Sequence, residues 1–267
     1  MPIADVPGAA LYYEVHGAGP WLVFAHGAGG NHLSWWQQVP AFAPRFRCLV
    51  FDQRGWGRST CAGAPGPADF AGDLSALLDH LDVERAALVG QSMGGWTVLG
   101  CALARPERVT HLVLTATLAG LTDDAILVRL AELHDAGRPL GLRGALAPEF
   151  PARNPVRTFL YEGIAGLNPP APDGFIRRLI ALRQPLGRAR LDMPVLFLAG
   201  GCDQLFPPDV IGLARARLPG AALVVVPGAG HSAYFECPDE FNRVLAAFLA
   251  GPVGGSVHRR LRGPDPR

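Results

Sequence analysis

Three side chains able to do acyl chemistry stand in a fixed order along this 267-residue chain: Ser92, Asp203 and His231. Ser92 lies in Gly90-Gln91-Ser92-Met93-Gly94, directly behind the apolar run Ala86-Ala87-Leu88-Val89. A G-x-S-x-G between a strand and a helix is a strained turn that lifts the serine hydroxyl above a sheet. Side chains at Gly90 and Gly94 would crowd so tight a turn. A serine nucleophile also needs a base to take its proton, an acid to orient that base, and donors for the oxyanion. Asp203 follows the apolar run 195–199 and His231 follows 223–226, so acid and base both sit past strand ends, as Ser92 does. In open α/β sheets, chemistry collects at those carboxyl ends. Asp209 is the competing acid, but it sits far past the strand end and suits a helix N-cap.

The oxyanion donors come from backbone. His26-Gly27-Ala28-Gly29-Gly30 follows the run 21–25, and its Ala28 N–H, paired with that of Met93, is the expected oxyanion hole. Gly29 is the neighbouring alternative. His26 reads as a loop-holding hydrogen-bonder. The spacing of a dinucleotide loop and its downstream acid are missing, which excludes a nucleotide-binding glycine loop. Trp35, Trp96, Phe206 and Tyr234 flank these motifs and are the expected substrate-binding side chains of an apolar pocket. No metal-ligand spacing is present, so no metal and no cofactor are expected.

Positioning such groups requires a sheet covered on both faces. Apolar runs at 10–15, 21–25, 48–51, 86–89 and 112–115 alternate with helical patterns, notably 69–81, where Phe70, Leu74, Leu77, Leu78 and Leu81 share one face. This predicts an α/β fold with a mostly parallel central sheet. From 118 to 190 the rhythm breaks into proline-punctuated helical stretches, and it resumes at 195–199 and 223–226. The expected organisation is a core of 1–117 and 191–251, a helical cap of 118–190, and a disordered Gly/Pro/Arg tail of 252–267. The cap arginines, among them Arg129, Arg138, Arg143, Arg153, Arg157, Arg178, Arg183, Arg188 and Arg190, read as a solvated face from which one could reach a substrate carboxylate.

Composition narrows the partners. With 49% hydrophobic and 18% charged residues, and 24 basic against 23 acidic groups, the chain reads as globular without the basic patch that nucleic acid demands. No secretory signal and no apolar stretch of membrane-spanning length is visible, so a cytoplasmic protein free of membrane contact is expected, monomeric or homodimeric. The five cysteines are odd in number and form no C-x-x-C, which suits reduced, buried thiols. The expected partner is a small-molecule substrate.

With these residues in place, the chain resembles the α/β-hydrolase superfamily, of the capped kind that includes bacterial carboxylesterases, enol-lactonases and carbon–carbon bond hydrolases. Four motifs carry the resemblance across residues 10–250: His26-Gly27-Ala28-Gly29, Asp52-Gln53-Arg54-Gly55-Trp56-Gly57-Arg58-Ser59, the Ser92 turn, and Gly230-His231. The resemblance implies that the Asp52–Ser59 run is a structural loop. Relatives that dehalogenate or open epoxides place aspartate where this chain has Ser92. Carbon–carbon hydrolases usually carry asparagine and tryptophan where it has Gln91 and Ser232. The expected activity is therefore a serine hydrolase cleaving an ester or lactone of a small, largely apolar molecule through an acyl-enzyme. The alternatives are a carbon–carbon bond hydrolase, or a non-hydrolytic lyase or cyclase on the same scaffold.

Overall fold

The computed structural model describes residues 2–63, 65–137, 144–186 and 191–251. In chain order the elements are β1 (Ile3–Val6), β2 (Ala9–His16), β3 (Trp21–Ala25), α1 (Gln38–Phe42), β4 (Arg47–Phe51), β5 (Thr60–Cys61), α2 (Phe70–His80), β6 (Ala86–Gln91), α3 (Met93–Ala104) and β7 (Val109–Thr115). There follow α4 (Asp124–Asp135), α5 (Phe150–Arg153), α6 (Pro155–Gly166), α7 (Phe175–Ala181), β8 (Val195–Gly200), α8 (Pro208–Ala216), β9 (Ala222–Val226), α9 (Ala233–Glu236) and α10 (Pro238–Leu249).

The strands form one sheet in the order β1-β2-β4-β3-β6-β7-β8-β9, with β5 beside β2. Pairing is antiparallel for β1, β2 and β5 and parallel from β4 through β9. The chain thus has the α/β-hydrolase fold. β3, β4, β6 and β8 are buried almost throughout, as parallel strands covered on both faces must be. β1 and β5 lie outside the strands expected from sequence. Four residues and two residues are too few to carry a period, and both depend on their pairing with β2.

Two hydrophobic clusters separate the faces. One packs Phe70, Leu74, Leu77 and Leu78 of α2 and Trp96, Val98 and Leu99 of α3 with Val210 and Ile211 of α8. The other packs Phe42 of α1 and Phe241, Val244, Leu245 and Phe248 of α10 against Leu22, Phe24 and Val50. The spacing of the four α10 residues makes one helical stripe, and burying each contributes about 1.5–3 kcal/mol. α3 is buried along most of its length because it runs between the sheet and α2.

Register brings the strand ends level. Ala25 pairs with Gly90, Gln91 with Thr115, Thr115 with Leu198, and Gly200 with Val226. The loops after β3, β6, β8 and β9 therefore open on one edge. Between β7 and β8, the described residues carry α4, α5, α6 and α7. Residues 138–143 and 187–190 of the expected cap, and the 252–267 tail, lie outside the described residues. Among the described residues no helix is long and apolar enough to cross a membrane.

Candidate active site

Ser92 connects β6 to α3 with φ +49° and ψ −114°, a region that non-glycine residues enter only under constraint. The constraint is visible. Ser92 N donates to Thr115 O at 3.0 Å, while Ser92 O accepts from Gly95 N at 2.9 Å and from Thr117 Oγ1 at 2.6 Å. Gly94 is forced as well, because a Cβ there would collide with the Ala25 carbonyl of the neighbouring strand.

His231 Nδ1 lies 2.9 Å from Asp203 Oδ2, and both side chains are buried. A carboxylate oxygen only accepts, so Nδ1 carries the proton and Nε2 is left as the basic nitrogen. The other Asp203 oxygen, Oδ1, accepts from Leu205 N at 2.8 Å and Phe206 N at 2.9 Å. The carboxylate is thereby held from both sides, and Phe206 stacks edge-on against the imidazole at 5.5 Å. Gln91 Nε2 donates to His231 O at 3.3 Å, tying the serine turn to the histidine loop.

The loop after β3 is braced by His26. Gln53 N donates to His26 Nε2 at 3.0 Å, and His26 Nδ1 lies 2.8 Å from Gly27 O. Nε2 must accept, so the ring is the neutral Nδ1–H tautomer. Complete burial lowers its pKa, against the raising effect of Asp52. Gln53 Nε2 returns to His26 O at 2.6 Å, and Gln53 Oε1 accepts from Thr97 Oγ1 of α3. Burial alone would raise the Asp52 carboxyl. The side chain of His32 and the N–H groups of Arg58 and His32 outweigh that and hold it below its ordinary value. The Asp52–Ser59 run thus acts as a brace.

Ser92 and His231 line a cavity of about 810 Å3 together with Ala28, Trp96, Phe206 and Tyr234. Met93 is buried at the first turn of α3, where an N–H has no partner within the helix. Trp35 is a correction. It was expected against substrate, but it is fully buried in the core, packed on Phe24 and behind Tyr234, while its neighbour Ser34 lines the cavity. The short helical turn His32–Trp35 puts adjacent residues on opposite sides. Sequence reasoning also missed Trp56, assigned only to a structural loop, and did not name the lining residues of α4, α6 and α7, Leu130, Tyr161, Ile164 and Leu179. The Tyr161 hydroxyl lies 2.9 Å from Ser232 Oγ, and burial raises its pKa. His134 of α4 stands among the lining residues as well.

The described lining holds neither a carboxylate nor a guanidinium. Arg129 pairs with Glu132 and Asp209, Arg183 with Asp124, and Arg178 donates to Asp173 O. Arg153 pairs with Glu149, and Arg157 donates to the carbonyls of Phe235 and Glu236. Both of these line a separate hollow of about 760 Å3 shared with Cys202 and Cys237. Arg138, Arg143, Arg188 and Arg190 lie outside the described residues. All five thiols are free, but only Cys48 and Cys101 are buried, and Cys202 is exposed, which corrects the expectation of buried thiols throughout.

A family model for the alpha/beta hydrolase fold matches residues 20–158 and 167–238. A protein of Azorhizobium caulinodans assigned as the carbamate hydrolase RutD is 30% identical over 93% of this chain and 98% of its own. A pimeloyl-[acyl-carrier protein] methyl ester esterase of Pectobacterium carotovorum is 32% identical over 90% of this chain and 98% of its own. Among solved structures, Est816, described as an N-acyl homoserine lactone degrading enzyme, superposes with a TM-score of 0.75 at 26% identity, covering 92% of this chain and 100% of that one.

Proposed function

Because the chain belongs to the α/β-hydrolase family, we propose that it is a serine hydrolase cleaving an ester or lactone bond of a small, uncharged, largely apolar molecule. The observation that carries this reading is the Asp203–His231 hydrogen bond, with His231 lining the same cavity as Ser92. Ser92 Oγ attacks the acyl carbonyl as His231 Nε2 takes its proton, and Asp203 holds the imidazole in the productive tautomer. The N–H groups of Met93 and Ala28 stabilise the oxyanion. His231 then protonates the leaving oxygen, and it activates the water that releases the acid and restores Ser92.

The relatives act on carbamates, methyl esters or N-acyl lactones by their descriptions. The apolar lining supports an acyl-bearing ester or lactone over a small polar carbamate, and the described lining residues offer no guanidinium to a substrate carboxylate. We read the helices between β7 and β8 as a cap that selects the acyl group.

Hydrolysis of a p-nitrophenyl ester series, from acetyl to long acyl chains, tests this. Wild type is expected to prefer a medium or long chain, and Ser92→Ala to lose activity while keeping its fold. Undiminished hydrolysis by Ser92→Ala would overturn the assignment.

A further inference from the structure

Ala147 belongs to the segment between β7 and β8, and Gly230 immediately precedes His231, yet their N–H groups converge on one side chain. Glu236 Oε2 accepts from Ala147 N at 2.8 Å, and Oε1 from Gly230 N at 3.0 Å. The two loops pass so close that a Cβ on Gly230 would collide with Ala147 N and the Leu146 carbonyl carbon. Glu236 itself is only 5% exposed.

A buried carboxylate is costly unless its oxygens are satisfied. Here main-chain donors satisfy it: the nearby Arg157 guanidinium is turned to the carbonyls of Phe235 and Glu236 instead. Burial, with Asp203 as the facing charge, leaves the carboxyl above its ordinary value even with these N–H donors. So unfavourable a group gives little net stability, and what it does supply is geometry. One donor, Gly230, adjoins His231, and the other, Ala147, lies two residues from Ala145, which lines the cavity.

We infer that Glu236 is a positioning residue, a clamp that fixes the His231 loop and the 145–148 segment to each other so that base and pocket wall move together. It touches no reacting atom and acts through the main chain of Gly230. Its effect on rate rests on the reading of His231 as the base, whereas the clamp itself does not.

Glu236→Gln, nearly isosteric, is the test, read by hydrogen exchange and by steady-state kinetics. Exchange in both 145–148 and 229–232 is expected to quicken about tenfold or more while α3 is unchanged. kcat should fall about tenfold with KM within about twofold, because a misplaced base loses rate before affinity. Wild-type exchange in either segment, or an unchanged kcat, would overturn the inference. Should the variant not fold, native-state exchange of wild type decides. Ala147 and Gly230 amides opening in a common event, at rates within about threefold, support the clamp, and rates further apart overturn it. The two readings fail separately. Uncoupled exchange with Ser92-dependent hydrolysis intact sinks only the clamp, and coupled exchange without such hydrolysis sinks only the serine mechanism.

Discussion

The two walls of the cavity are built by opposite rules. On the sheet wall, Ser92, Asp203 and His231 follow strand ends, held by hydrogen bonds to Thr117, Leu205 and one another's loops, with backbones packed too closely at Gly94 for any side chain. On the wall from the inserted segment, Leu130, Ile164 and Leu179 offer apolar surface, and the outer faces of the same helices expose Val128, Val156 and Phe159. One wall fixes atoms to within a hydrogen bond; the other shapes a volume. On the proposed reading, chemistry and selection are divided between them, and the division can be broken at either wall.

The largest effect belongs to the sheet wall. Asp203→Asn should lower kcat roughly 10⁴-fold, since the amide allows the wrong imidazole tautomer, with KM little changed in the same assay. A rise in KM of similar size with kcat kept would place Asp203 in binding instead. Gly94→Ala should destabilise by about 1–3 kcal/mol through overpacking against Ala25, read from denaturant unfolding. On the opposite wall, Leu179→Trp should move the preferred acyl chain shorter, shifting relative kcat/KM between chain lengths by about 10–200-fold with the best kcat retained. A collapse of kcat on every ester would erase the division.

Acid probes the brace under the sheet wall. His26 is held neutral when folded, while its unfolded form protonates below about 6.5. Its contribution to stability is therefore full above that pH and is lost as pH falls below it. His111, lowered by burial, adds in the same direction. The Tm should decline from pH 7 to pH 5, and His26→Gln should flatten that decline; an unaltered slope would contradict the tautomer assignment. The smallest effect is on the outer face of α6. Phe159→Ser, at a side chain 79% exposed, should change stability by no more than about 0.5 kcal/mol and leave kinetics unchanged.

The same division governs what the sequence revealed. Strands β3, β4, β6, β7 and β8 announce themselves because buried parallel strands read as apolar runs, and the glycines flanking Ser92 mark a turn that only a close backbone approach explains. The pocket wall from α4, α6 and α7 was illegible. Its lining residues share helical spacing with ordinary core residues, and only the tertiary fold separates Leu179, facing the cavity, from Phe159, facing solvent. Trp35 failed for the same reason at shorter range: one residue along a short helical turn divides core from pocket. Glu236 carries no local pattern either, because its partners lie 89 residues upstream at Ala147 and six upstream at Gly230.

The most direct test of the central claim is mass spectrometry of the folded protein after treatment with a serine-reactive p-nitrophenyl phosphonate. A single adduct on Ser92, abolished in Ser92→Ala and formed far more slowly in Asp203→Asn, is the predicted result. A folded protein that takes no label, or takes it at another residue, would contradict the account.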